Sequence, residues 1–147
     1  MRLRLLALPT AREIPLPVGL VMTDIDIIVD RQADLTAKIA KAIASAKGVG
    51  IVILWTGFTN VDEKASRPRL GMRYEITAWS RPILTGGSSP VDDVMEAICT
   101  RLHHWNPDAS GLSYGEAIVR SGDILEGLHN GKKALGYTCD VVIPVSL

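Results

Sequence analysis

Apolar residues fall at helical spacing in two stretches of this chain and at strand spacing in several others. Within residues 24–46, Leu35, Ile39, Ala42, Ile43 and Ala46 recur three and four apart and form one apolar stripe, while Arg31, Asp34, Lys38 and Lys41 are polar. Lys47-Gly48 supplies a stop. Ile25, Ile27 and Val29 alternate as in a strand, which leaves the start of this first helix open.

Residues 49–58, VGIVILWTGF, are apolar and β-branched almost throughout. They predict a strand buried on both faces, or a strand at a subunit interface. A polar loop, NVDEKASRPRLG, fills residues 60–71. Residues 72–81 then alternate: Met72, Tyr74, Ile76 and Ala78 share one face, and Arg73, Glu75, Thr77 and Trp79 the other. This strand is expected antiparallel to the first. After the flexible TGGSS, Ser89 suits an N-cap, Pro90 the first helical position, and Asp92 and Asp93 the first turn. Val91, Val94, Met95, Ile98, Cys99, Leu102 and Trp105 trace the second helix, which Asn106-Pro107 ends. Residues 116–128 read as a strand interrupted near Ser121-Gly122-Asp123. Asn130-Gly131 marks a hairpin turn. Residues 133–147 close the chain as a strand with Leu135, Tyr137, Cys139, Val141 and Ile143 on one face.

Together these elements predict an α+β domain. It has an antiparallel sheet of about four strands, two helices packed on one face, and an extended N-terminal arm. The arm is residues 1–22 and the domain residues 23–147. Pro9, Pro15 and Pro17 favour an extended arm, with a short strand near residues 2–8. Its many leucines and valines require a surface to pack on, either its own domain or a neighbouring subunit.

Composition narrows the function classes. The 147 residues suit one domain, and 47% hydrophobic with 22% charged residues is ordinary for a globular fold. Sixteen basic residues balance sixteen acidic ones. That balance argues against a whole-surface grip on nucleic acid and is compatible with self-association. The front end resembles a signal peptide only superficially, because its apolar run stops at Pro9. No stretch approaches the roughly 20 apolar residues of a membrane span, and a cytosolic setting with reduced thiols is expected. Cys99 and Cys139 are expected as buried free thiols, with a disulfide or metal pair as the alternative.

Candidate chemistry is sparse. The chain holds no phosphate-binding, dinucleotide, zinc-protease, CxxC or nucleophile-elbow motif. No catalytic residue, cofactor or metal site is therefore assigned. His103 and His104 are adjacent and point to different helix faces, unlike a chelating pair four apart. Asp24, Asp26 and Asp30 read as a polar face ahead of a helix, the alternative being a cation-binding run. Lys64, Arg67 and Arg69, with Arg73 and Arg81, form the main basic concentration, partly offset by Asp62 and Glu63. A solvated loop, a protein-docking loop and nucleic-acid contact all fit it. Trp79, on the polar face of its strand, is either a sheet-surface packing residue or an interface anchor. Trp55, Lys64, Arg67, Arg69, Trp79 and Arg81 are the interface candidates.

The order of a first helix, two antiparallel strands, a proline-started helix and a closing hairpin resembles the tail terminator (tail-completion) proteins of long-tailed bacteriophages. The resemblance spans roughly residues 30–147. It is carried by MRYEITAWSRP (72–82), PVDDVMEAICTRLHHW (90–105) and the terminal YTCDVVIPVSL. It implies a structural assembly protein, not an enzyme: a homo-oligomeric ring, six subunits favoured, that caps the tail tube and joins it to the head-side connector proteins. DNA would pass through the channel without specific binding. The chain would be assembled in the host cytoplasm and reside in the virion, with no membrane partner. The alternatives are another phage neck or connector subunit, or a small enzyme with an unrecognised site.

Overall fold

A computed structural model describes residues 2–5, 12–16, 20, 25–29, 35–44, 48–64, 66–67, 69–81, 90–107, 114–129 and 132–145. The described elements run β1 (Arg2–Leu5), β2 (Arg12–Pro15), β3 (Ile25–Val29), α1 (Leu35–Ala42), β4 (Val49–Asn60), β5 (Leu70–Ser80), α2 (Pro90–Leu102), β6 (Ile118–His129) and β7 (Lys132–Pro144). β1 and β2 form a small antiparallel hairpin of their own. The remaining five strands make one sheet in the order β3-β4-β5-β7-β6.

This sheet corrects the predicted architecture. It has five strands rather than about four, and it is mixed: β3 lies parallel to β4, with Ile25 opposite Val49 and Val29 opposite Ile53. The alternating Ile25, Ile27 and Val29 are therefore a strand, and the helix is confined to Leu35–Ala42. Parallel neighbours need a crossover, and α1 lies in that crossover. The other pairs, β4–β5, β5–β7 and β6–β7, are antiparallel as expected.

The helices also lie on opposite faces of the sheet, not on one. Val91, Val94, Met95, Ile98 and Leu102 of α2 pack on Ile51, Ile53, Ile76, Ala78, Cys139 and Val141. Ile39 and Ile43 pack with Ile28, Val52 and Ala134, with Trp79 partly buried beside them. Neighbouring residues on a strand point to opposite faces. Ile51 and Ile53 therefore look toward α2, and Val52 toward α1. A stripe of spacing three and four shows which side of a helix is apolar, but not which face of a sheet it will cover. Gly50 faces α1, and a Cβ there would stand 3.1 Å from Ala42 Cβ.

Two-sided cover explains why 49–53 is apolar at every position. All five residues are buried, and the strand emerges into solvent from residue 54 on. The front segment contributes to the same core. Ile14 and Leu20 are buried in the α2-side cluster, and Leu16 packs against it. For these residues the domain itself is the packing surface.

Candidate assembly surface

β4 and β5 continue past both helices as a hairpin. In β4, Trp55 pairs with Tyr74 and Gly57 with Arg73, so Thr56 is an extra residue, a β-bulge. Gly57 holds φ at 115°, a left-handed conformation that glycine tolerates best. The Thr56 hydroxyl donates to the Arg73 carbonyl at 3.1 Å. The bulge shifts the alternation by one. Trp55 and Phe58 consequently lie on the same face, opposite Tyr74 and Met72. Their rings meet edge to face, with centroids 5.6 Å apart and planes at 85°. Trp55 is 45% and Phe58 60% exposed, well beyond what a packed sheet residue shows.

The loop after β4 carries the predicted basic residues. Asn60 Oδ1 accepts from the Asp62 amide at 3.2 Å, and Asp62 Oδ1 accepts from the Lys64 amide at 3.1 Å. The Val61 amide donates to the Arg69 carbonyl at 2.7 Å and closes the base of the loop. Lys64, Arg67 and Arg69 are exposed there. Arg73 is set apart by a 2.7 Å ion pair with Asp140, across the sheet on the α1 side. Arg81 follows the far end of β5, eleven residues from the loop, a span of about 35 Å at strand rise. The basic residues are thus one loop cluster and two separated arginines.

The two tryptophan candidates part in the same way. Trp55 is on the exposed hairpin, whereas Trp79 is half-buried with the α1-side cluster. Trp79 faces Gly136 in the β5–β7 register. Phe58 was not a candidate in the sequence, although a glycine inside an apolar strand is itself the signal of a bulge.

The sheet has two open margins among its described residues. β3 pairs only with residues 49–53, leaving 54–60 of β4 without a partner strand on that side. β6 pairs only with β7, so its whole outer margin is free of strand pairing. On β6, Arg120, Asp123, Ile124 and Glu126 are exposed, Ile124 at 66%. β6 runs unbroken through the Ser121-Gly122-Asp123 expected to interrupt it, and its register shift falls just before them, between Val119 and Ser121.

The histidines serve the turn after α2. The His104 ring nitrogen Nδ1 lies 2.8 Å from Glu116 Oε2, and its backbone takes φ 61° at the helix end. The His104 amide donates to the Ala117 carbonyl at 2.8 Å. His103 Nδ1 accepts from the Val119 amide at 3.3 Å. These bonds fasten the end of α2 to the start of β6. Of the acidic run, Asp26 is exposed on β3, and Asp24 and Asp30 lie outside the described residues. Among the described residues no cluster of His, Cys, Asp or Glu has a metal-binding arrangement. Among them, too, no helix is long and apolar enough to cross a membrane.

No family model matches the chain, and no curated protein is detectably similar to it.

Proposed function

We propose that this chain is a structural subunit that joins copies of itself into a closed ring, in the manner of a phage tail terminator. The observation that carries the reading is the pair of unlike open margins on one sheet. One is the distal half of β4, bearing exposed Trp55 and Phe58; the other is the outer side of β6. Open strand margins recruit further strands. Joining one margin to the other of the next copy is a heterologous contact, and a closing rotation turns such contacts into a ring. The charges favour this order. On the β6 side Asp123 and Glu126 outnumber Arg120, while at the hairpin tip beside β4 Lys64, Arg67 and Arg69 outnumber Asp62 and Glu63. Trp55 and Phe58 are the aromatic anchors that assembly interfaces favour.

Six subunits, a tail-tube contact and a head-side connector contact are what the family resemblance adds. In that setting the loop of Lys64, Arg67 and Arg69 faces a partner or the channel, and DNA passes without sequence-specific binding.

The test is the mass of the purified chain in solution and in particles. A ring gives a discrete multiple of the protomer mass, and pairing Trp55→Ser with Phe58→Ser reduces it to the protomer. Isolated phage tails from the source contain the chain at one end. A wild-type chain that stays single at high concentration and is absent from tails sinks the reading.

A further inference from the structure

A cleft of about 430 Å³ lies where α2 meets the bulged part of β6 and the middle of β7. Met95 and Cys99 line it from α2, residues 119–124 from β6, and Tyr137, Thr138 and Cys139 from β7. Its size is within the range of small-molecule sites. The local construction of β6 opens it. Register shifts beside Arg120, and the residue facing Cys139 is Gly122, which places no side chain over the sulfur. A Cβ on Gly122 would meet the Thr138 carbonyl oxygen at 2.8 Å, so that backbone approach belongs to glycine.

The two cysteines of the chain meet in this cleft, although they are forty residues apart in sequence. Cys99 is half-buried and Cys139 only 1% exposed; both are free thiols. Both line the same cleft, and Cys99 packs against the buried cluster that contains Cys139. We propose that Cys99 and Cys139 form a dithiol site that a small disulfide oxidises to an intramolecular disulfide, covalently tying α2 to β7. The inference stands independently of the ring reading.

The roles of the two sulfurs follow from their surroundings. Cys99 is the one that a reagent in the cleft reaches first. The hydrogen bond from Cys139 holds its thiol below the usual range, which favours the attacking thiolate. Cys139 is pushed up, first by that same hydrogen bond and then by burial. With glutathione disulfide as the reagent, Cys99 loses its proton to solvent and attacks one sulfur. The reagent's S–S bond breaks and one glutathione thiolate leaves and is protonated. Cys99 no longer carries a charge for Cys139 to stabilise, so the main cause of its high value is gone. Cys139 then gives up its proton and attacks Cys99 Sγ, forming the internal bond and expelling the second glutathione thiolate, which is protonated in turn. Two protein thiols are oxidised and one disulfide is reduced to two thiols.

The experiment incubates the native chain with glutathione disulfide, quenches with acid, alkylates, and measures the intact mass and the cross-linked peptides. The expected product is lighter by two hydrogens, carries no glutathione or alkyl group, and yields one peptide pair joining Cys99 to Cys139. Cys139→Ser is expected to stop at a single glutathione on Cys99. In the wild type the reaction runs faster in native buffer than in urea, because the folded contact raises the effective concentration of one thiol at the other. The inference is overturned by two alkylated thiols after excess reagent, by a persistent glutathione adduct on the wild type, by a link between chains, or by faster linking in urea. The wild-type measurements decide the matter even if the variant does not fold.

Discussion

Trp79 of β5 faces Gly136 of β7, and the indole covers the glycine so closely that a Cβ at position 136 would stand 2.6 Å from Trp79 Cε3. The glycine is the seat of the indole, and the two together close the α1 side of the sheet beside Ile39 and Ile43. Gly136→Ala forces the ring off this seat. The expected loss is about 1–3 kcal/mol, the usual cost of overfilling a packed site. It is read as a lowered urea midpoint with an unchanged slope.

Cover on both faces makes a paired prediction. Ile43 of the α1 side and Ile98 of α2 are each fully buried, on opposite faces of the sheet. Ile43→Ala and Ile98→Ala are each expected to cost about 2–5 kcal/mol. With no shared partners across the sheet, their costs are expected to add in the double variant. A near-neutral Ile43→Ala in chemical denaturation contradicts the second core.

The hairpin aromatics behave in the opposite way. Trp55 and Phe58 are exposed to solvent over about half of their surface, so Trp55→Ser and Phe58→Ser are expected to leave the stability of the protomer within about 0.5 kcal/mol. If the proposed ring forms, they are expected to abolish the self-association seen by light scattering. Variants that melt early while still associating assign the pair to folding instead of assembly.

Alkaline pH is expected to weaken the fold through two tyrosines. Burial raises the Tyr74 hydroxyl above its ordinary value, and a hydrogen bond to Asp92 is the main cause of the rise at Tyr137. A value raised by folding means that the folded chain holds the proton more tightly than the unfolded one. The associated stability is therefore full below about pH 10, the unfolded value, and is lost as pH climbs through the raised folded values. Near-ultraviolet absorbance is expected to show late phenolate formation, together with a falling melting temperature. Tyr137→Phe reduces the alkaline part of that fall. A melting temperature that stays flat through this range counts against it.

Arg73 and Asp140 offer a small effect by contrast. Their 2.7 Å contact involves an arginine side chain that is half exposed. Solvent screens such a pair, and Arg73→Ala is expected to change stability by no more than about 1 kcal/mol. A salt titration of the melting temperature checks this, since the wild-type advantage shrinks as ionic strength rises.

What the amino-acid pattern reveals depends on how local each feature is. The alternation of Met72, Tyr74, Ile76 and Ala78 against Arg73, Glu75, Thr77 and Trp79 carries over directly into the two faces of β5. α2 is legible because Pro90, Asp92, Asp93 and its apolar stripe agree within a few turns of chain. His129 pairs with Lys132, and Asn130 and Gly131, expected to turn between them, lie outside the described residues. β3 is less legible: its five residues pair with a strand on the far side of α1, and a parallel partner leaves no turn signal between them. The spacing of the basic residues is not legible from sequence proximity, which ignores strand length. Arg81 and Arg69 bracket an extended segment and end up at opposite ends of it. The placing of Cys99 and Cys139 in one cleft depends on the packing of α2 against β7, which no spacing encodes.

The bulge at Thr56 has a consequence for how the hairpin varies. The placement of Phe58 beside Trp55 is a matter of counting and not of hydrophobicity: one inserted residue reverses the phase of everything that follows it in β4. Removing Thr56 leaves every apolar side chain in the hairpin intact, yet it turns Phe58 to the other surface and dissolves the aromatic couple. The strand therefore carries a one-residue switch for the identity of its outer face. A deletion there alters the surface more than most substitutions do.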